Sequence, residues 1–232
     1  AATIAHFKRW SRIHMQLVPY FAGLIASFER DGLPLMRLIA LDYPDEAWAW
    51  TTQDQYLLGD RILVAPVQVE GATSRDVILP AGDWVPLLGG AVVSGTITAQ
   101  AAITEIPAFV PAGSLLVLFP DGVDTVLPST SAAITTADDI ADDREVWLYA
   151  GTPARAEHAA WNDDTGSIGG AQWTWSGRPA GAPPTTALFN GASVPVTNGV
   201  ATVTGDGTLE IGGGTLTIAR GSPTAVTTVR LR

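Results

Sequence analysis

Two adjacent aspartates, Asp163 and Asp164 in the stretch WNDDTG, come nearest to a hydrolytic pair in this chain. Cleaving a glycosidic bond with two carboxyls needs them roughly 5–9.5 Å apart on opposite sides of a sugar ring, supplied by different elements. Neighbours on one strand or turn point in different directions. Thr165 and Gly166 follow, so the pair reads as a turn between strands, better suited to hydration or calcium than to opposed catalysis. Asp138, Asp139, Asp142 and Asp143 read as a solvated charge cluster. His6 and His14 lie eight apart, too far for the i, i+4 pair of a metal site. His158 stands alone in an expected strand, and all three histidines read as satisfied or solvated. With no cysteine, no G-x-S-x-G elbow and no phosphate loop, no catalytic, cofactor or metal residue is assigned.

The aromatic residues suggest a different chemistry. Trp161, Trp173 and Trp175 lie close together, and Trp173 and Trp175, two apart, share a face of an expected strand. Exposed indole faces would stack on sugar rings and make these three residues a carbohydrate-binding group. Buried, they would be the core of a Trp-rich sandwich.

Composition narrows the partners. The chain has 232 residues, 47% of them hydrophobic, and a formal net charge of −10. An acidic surface argues against nucleic acid, whose backbone is met with Lys and Arg, and against anionic membranes. No apolar run reaches the roughly 18–20 residues of a membrane helix. The N-terminus has no signal pattern and reads as a cut edge with sequence expected upstream. The compartment is left open, because a cysteine-free chain suits a bacterial cytoplasm or secretion equally.

Only one long helical pattern is present. Trp10, Ile13, Leu17, Tyr20, Phe21, Leu24, Ile25 and Phe28 recur at three- and four-residue steps, which predicts one helix from Thr3 to Arg30. Pro19 should kink it, and Asp31-Gly32 with Pro34 should stop it. Short apolar runs between Gly and Pro clusters follow and predict two β series. The first is Leu35–Leu41, Arg61–Val69, Asp76–Leu79, Ala108–Val110 and Ser114–Phe119. The second runs from Glu145–Ala150 through Arg155–Trp161 and Gln172–Trp175 to Thr224–Leu231. Gly205-Asp206-Gly207 and Gly212-Gly213-Gly214 mark tight turns. The fold class is mainly β, two β-sandwiches preceded by one long helix, with residues 121–143 as connector.

Four ordered blocks carry a resemblance. GLPLMRLIALDYPDEAWAWTTQDQYLLGDRILVAPV, with Gly32, Pro34, Arg37, Tyr43, Gln55, Gly59 and the run Leu63 to Val67, resembles the C-terminal side of glycoside hydrolase family 31, the α-glucosidase and α-xylosidase family. SRDVILPAGDWVPLLGG, IPAFVPAGSLLVL and, upstream, RIHMQLVPYFAGL are similar to further blocks of that family. Leu38 and Pro111 depart from it, where Pro or Ala and Arg are usual. The resemblance spans Arg12 to Leu118 and then fades.

The resemblance implies a (β/α)8 barrel followed by a proximal and a distal β-sandwich, with two catalytic aspartates on barrel strands upstream of this chain. Residues 1–32 would be the last barrel helix, 33–120 the proximal sandwich, and 144–232 the distal one. The chain would be a non-catalytic support for the barrel of a retaining α-glycosidase. Its expected partner is that barrel, with carbohydrate met through the parent protein. The alternative is a distal domain that binds carbohydrate through Trp161, Trp173 and Trp175.

Overall fold

The computed structural model describes residues 2–140, 142–163 and 171–232. The expected single helix is two, α1 (Ala2–Gln16) and α2 (Val18–Asp31), hinged at Leu17. Pro19 has no N–H to donate to the preceding turn, which accounts for the break just ahead of it. At the far end Gly32 adopts φ +73° and its N–H bonds the Phe28 carbonyl at 2.8 Å, closing the helix as the sequence predicts.

In the first β series the strands are β1 (Met36–Arg37), β2 (Tyr56–Leu58), β3 (Ile62–Val64), β4 (Ser74–Ile78), β5 (Trp84–Pro86), β6 (Thr96–Gln100), β7 (Ala108–Pro111) and β8 (Leu115–Leu118). A short helix α3 (Ala137–Ile140) precedes the second series. That series comprises β9 (Arg144–Leu148), β10 (Ala160–Asp163), β11 (Ala171–Trp175), β12 (Thr186–Phe189), β13 (Ala192–Pro195), β14 (Val200–Thr204), β15 (Gly207–Ile211), β16 (Gly214–Ala219) and β17 (Val226–Leu231). They make four sheets, ordered β1-β2-β3-β7-β5, β4-β6, β14-β17-β9-β8 and β10-β11-β16-β15-β12-β13. The fold is mainly β.

Residue alternation explains how these layers stack. Phe109, Leu63 and Trp84 turn toward the β4-β6 pair and form one core with Val77 and Ala99. Their neighbours Ala108, Val110, Ile62 and Val85 turn the other way, toward Ile13, Leu17, Tyr20 and Leu24 of the helices. In β8, Leu116 and Leu118 join that helical core, whereas Leu115 and Val117 join the core of the second sandwich with Trp173, Trp175 and Leu216. Strand β9 divides in the same way, with Trp147 toward the helices and Val146 and Leu148 away. A strand buried on both faces reads as an unbroken apolar run, which is why LLVLF carries no polar alternation.

One boundary drawn from the sequence is cut by this arrangement. β8, counted with the unit 33–120, pairs antiparallel with β9 of the unit 144–232, Leu116 opposite Trp147. β9 in turn pairs in parallel with β17. The two units therefore share a sheet, although 23 residues of chain separate residue 120 from residue 144. Within that connector, Thr136 and Asp139 cap α3 reciprocally: each backbone N–H bonds the other's side-chain oxygen, at 2.8 and 3.3 Å. Asp143 accepts from the Val226 N–H at 2.7 Å. The acidic cluster is thus bonded into local structure as well as solvated.

Candidate functional site

The stretch from Gly59 to Arg61 is the centre about which the layers meet. Gly59 has φ +63°, and a Cβ there would overlap the Tyr20 hydroxyl and the Leu24 methyl groups. Its N–H bonds the Leu35 carbonyl at 2.6 Å. The absent side chain lets α2 lie directly on the turn before β3. Tyr20, fully buried, donates its hydroxyl to the Leu58 carbonyl at 2.8 Å and accepts from the Arg61 N–H at 3.3 Å. Burial, reinforced by nearby Asp60, pushes its phenol well above the ordinary range and keeps it a neutral donor.

Arg61 then ties the two β units together. Its guanidinium is almost wholly buried and donates to the carbonyls of Leu115 at 2.9 Å, His158 at 3.3 Å, Ala160 at 2.6 Å and Glu157. Asp60 lies 3.5 Å from its Nε. Its plane covers the Trp161 ring at 4.8 Å. Trp161 also meets Tyr20, with centroids 5.3 Å apart, and fills the space left by Gly23 of α2. Nearby, Arg37 donates to both oxygens of Asp42, at 3.1 and 3.2 Å, and Arg155 donates to the Asp42 carbonyl at 2.9 Å.

These contacts locate the sequence candidates. Trp173 and Trp175 are 0% and 1% exposed, inside the second sandwich, so neither offers a face to a sugar. Trp161 is half-buried, its ring in contact with both Tyr20 and Arg61. The three do not form a platform: two are core and one is a wedge between helix and sheet. Asp163 ends β10, and Asp164 lies outside the described residues. His6 donates from Nδ1 to the Thr104 carbonyl at 2.9 Å, and His14 rests 5.0 Å from the Phe21 ring. His158 departs from expectation. It sits in a 3-10 turn, Ala156–Ala159, not in a strand, and neither ring nitrogen has a partner among the described residues. Burial lowers its pKa and keeps the ring neutral.

A cleft of about 260 Å³ beside His158 is rimmed by Asp42, Asp45, Glu46 and Asp83. Two of these are engaged. Glu46 accepts from the Ala81 N–H and the Trp48 indole, both at 2.9 Å. Asp42 faces Arg37 with both oxygens, and burial raises its pKa against that pairing. Among the described residues, no group of three or more His, Cys, Asp or Glu is placed to hold a metal ion, and no helix is long and apolar enough to cross a membrane.

The helices also carry an apolar side that none of the described residues covers. Phe7 is 72% exposed, and Ile25 and Phe28 are 48% each. The chain leaving α2 continues the theme with Leu33, Met36, Leu38 and Leu41, and Trp50 is 64% exposed, its indole pinned to the Pro44 carbonyl at 2.9 Å. The sequence places Ile25 and Phe28 in the same stripe as Leu24 and Tyr20. That stripe is too broad for one contact face.

Comparison with known proteins bears on this surface. Residues 32–116 match the model of the glycosyl hydrolase family 31 C-terminal domain, from the end of α2 into β8. A sulfoquinovosidase of Escherichia coli is 42% identical over 115 residues, which cover 49% of this chain and 17% of that protein. An isomaltosyltransferase of Sporosarcina globispora is 32% identical over 165 residues, 70% of this chain and 14% of that protein. The cycloalternan-forming enzyme of Listeria monocytogenes, solved with a pentasaccharide substrate, superposes over 94% of this chain and 22% of its own, with a TM-score of 0.66 at 23% identity. That last likeness concerns the fold. The chain spans less than a quarter of each of these three proteins.

Proposed function

We propose that this chain, whose residues 32–116 are a glycosyl hydrolase family 31 C-terminal domain, is the non-catalytic C-terminal part of a retaining α-glycosidase. Its task is to hold a catalytic barrel. The observation that carries this reading is the two-sided helix: Leu17, Tyr20 and Leu24 are buried in this chain, while Phe7, Ile25 and Phe28 are uncovered. Apolar side chains exposed in such a run mark a surface meant for another body. The glycosidase and transferase relatives, each several times longer than the matched region, supply the kind of body. In this reading the barrel stands on the outer side of α1 and α2, and its carboxylates act through a glycosyl-aspartate. The shared sheet and the Arg61 bonds make the two β units a single support. Carbohydrate contact belongs to the barrel.

The test is an assay of the purified 232-residue chain on aryl α-glucoside and aryl α-xyloside. No turnover is expected alone, and activity is expected when the upstream barrel is supplied on the same polypeptide. Turnover by the chain itself, with contaminants excluded, would sink the proposal.

A further inference from the structure

Five of the 13 Lys and Arg residues in this acidic chain surround one open cavity of about 560 Å³ beside α1. Lys8, Arg9 and Arg12 come from a flank of α1, Arg230 from β17, and Arg232 from just beyond it. Two carboxylates, Asp121 and Glu145, share the wall. Glu145 is already committed: its Oε1 accepts from the Trp147 indole at 2.6 Å and from Arg230 at 2.7 Å, and Gln16 stands 3.5 Å from Oε2. Arg9 meets Glu105 only at 3.7 Å, between two side chains that are about half exposed.

Arg232 is the fixed element. Its guanidinium lies 4.0 Å over the Trp147 ring, and Nη1 donates to the Leu88 carbonyl at 3.0 Å. Its Nε is buried without a hydrogen-bond partner among the described residues. A planar guanidinium held in this way is preorganised to pair with an oxyanion, and flexible cations at the rim add charge. With Arg230 on Glu145 and Arg9 near Glu105, the cations Lys8, Arg12 and Arg232 remain beside Asp121, an excess of positive charge that an anion would offset. The volume suits a small ligand. Lys8 and Arg12 lie about 100° or more around the helix from Phe7, so a body seated on the apolar side leaves the cavity open.

We propose that this cavity binds a ligand bearing a phosphate or sulfate group, with Arg232 as the fixed donor and Lys8 and Arg12 as rim donors. The experiment follows the thermal midpoint and calorimetric heat of the 232-residue chain titrated with sodium phosphate, sodium sulfate and, at matched ionic strength, sodium chloride. Saturable stabilisation by phosphate and sulfate, absent with chloride, is expected. In a K8Q/R12Q variant the phosphate affinity should fall about tenfold, the equivalent of one charge-assisted hydrogen bond. Both positions are exposed, so the variant should fold. An Arg30→Gln variant, lacking a cation at the far end of α2, should titrate like the parent. Glucose 6-phosphate separates the sources: tighter binding than phosphate marks a sugar ester, and equal binding marks the free anion. Equal effects of chloride and phosphate, or an unchanged titration in K8Q/R12Q, would overturn the proposal.

Discussion

The inner and outer sides of the α1–α2 segment are made of the same kinds of residue and have opposite environments. Inside, Tyr20 and Leu24 are 0% and 4% exposed, packed on Gly59, Ile62 and the shared sheet; outside, Ile25 and Phe28 are half in water. Hydrophobicity alone therefore says nothing about which side a helix uses. The difference lies in how the contact was shaped: Gly59 is cut away where Tyr20 and Leu24 land, and Gly23 of α2 makes room for Trp161. The sharpest test is Tyr20→Ala. It removes a buried ring and leaves the Leu58 carbonyl and the Arg61 N–H without their partner. A loss of about 4 kcal/mol is expected in urea unfolding of the chain. A loss under 1 kcal/mol would show that the helix is not docked as described.

Glycine substitutions sharpen the comparison next. Gly59 and Gly32 share nearly the same left-handed backbone, φ +63° and +73°, but only Gly59 has atoms where a Cβ would go. Gly32→Ala should cost about 1 kcal/mol, the backbone strain alone. Gly59→Ala should cost about 3 kcal/mol, because α2 must also lift off the turn. Equal losses would mean that the close approach contributes nothing.

A third prediction concerns the joint under the inner side. His158 is buried beside Arg61 and Arg155, with Asp60 and Glu157 opposing their effect, and its pKa in the fold is lowered mainly by burial. The unfolded chain, with an ordinary histidine pKa of about 6.5, then binds more protons than the folded one just below that pH. Stability attributable to this residue is complete above about pH 6.5 and declines as the pH falls below it. His158→Gln should flatten that decline, with a difference of about 1 kcal/mol between pH 7.5 and 5.5 when urea midpoints are compared with the parent. An unchanged pH slope would show the ring to be accessible to water.

Much of this was legible in the residues. The helical period, the Gly32 stop and the buried ILV and LLVL strands follow from local patterns. Other features are decided over long range. Arg61 reads as an unremarkable charge heading a strand, and only folding brings the carbonyls of Leu115, Glu157, His158 and Ala160 to it. Strand β2 is three residues long, and β12 carries a polar Thr and a small Ala, so neither shows much period. The run 155–161, expected as a strand, is rich in Ala with a Glu, which favour strands poorly, and its first half coils into a 3-10 turn that carries His158 to Arg61. Trp173 and Trp175 share a face as expected, and periodicity could not say whether that face met water or core.

The smallest effect on this chain should come from the outer side, and that is where it is most informative. Phe28→Lys and Ile25→Lys replace half-exposed side chains on a helix, at positions that make no hydrogen bond beyond the backbone. Each should change the unfolding free energy by less than about 0.5 kcal/mol, as surface substitutions do. On a polypeptide that also carries the upstream barrel, the same changes bury a charge against an apolar partner, a cost of several kcal/mol. They should release the barrel to protease or abolish turnover while leaving the C-terminal units folded. Measuring both forms side by side separates a helix that serves two bodies from one that merely tolerates exposed phenylalanine. If the lysines were silent in both, the outer side would have no partner, and the reading of this chain as a support would fail with it.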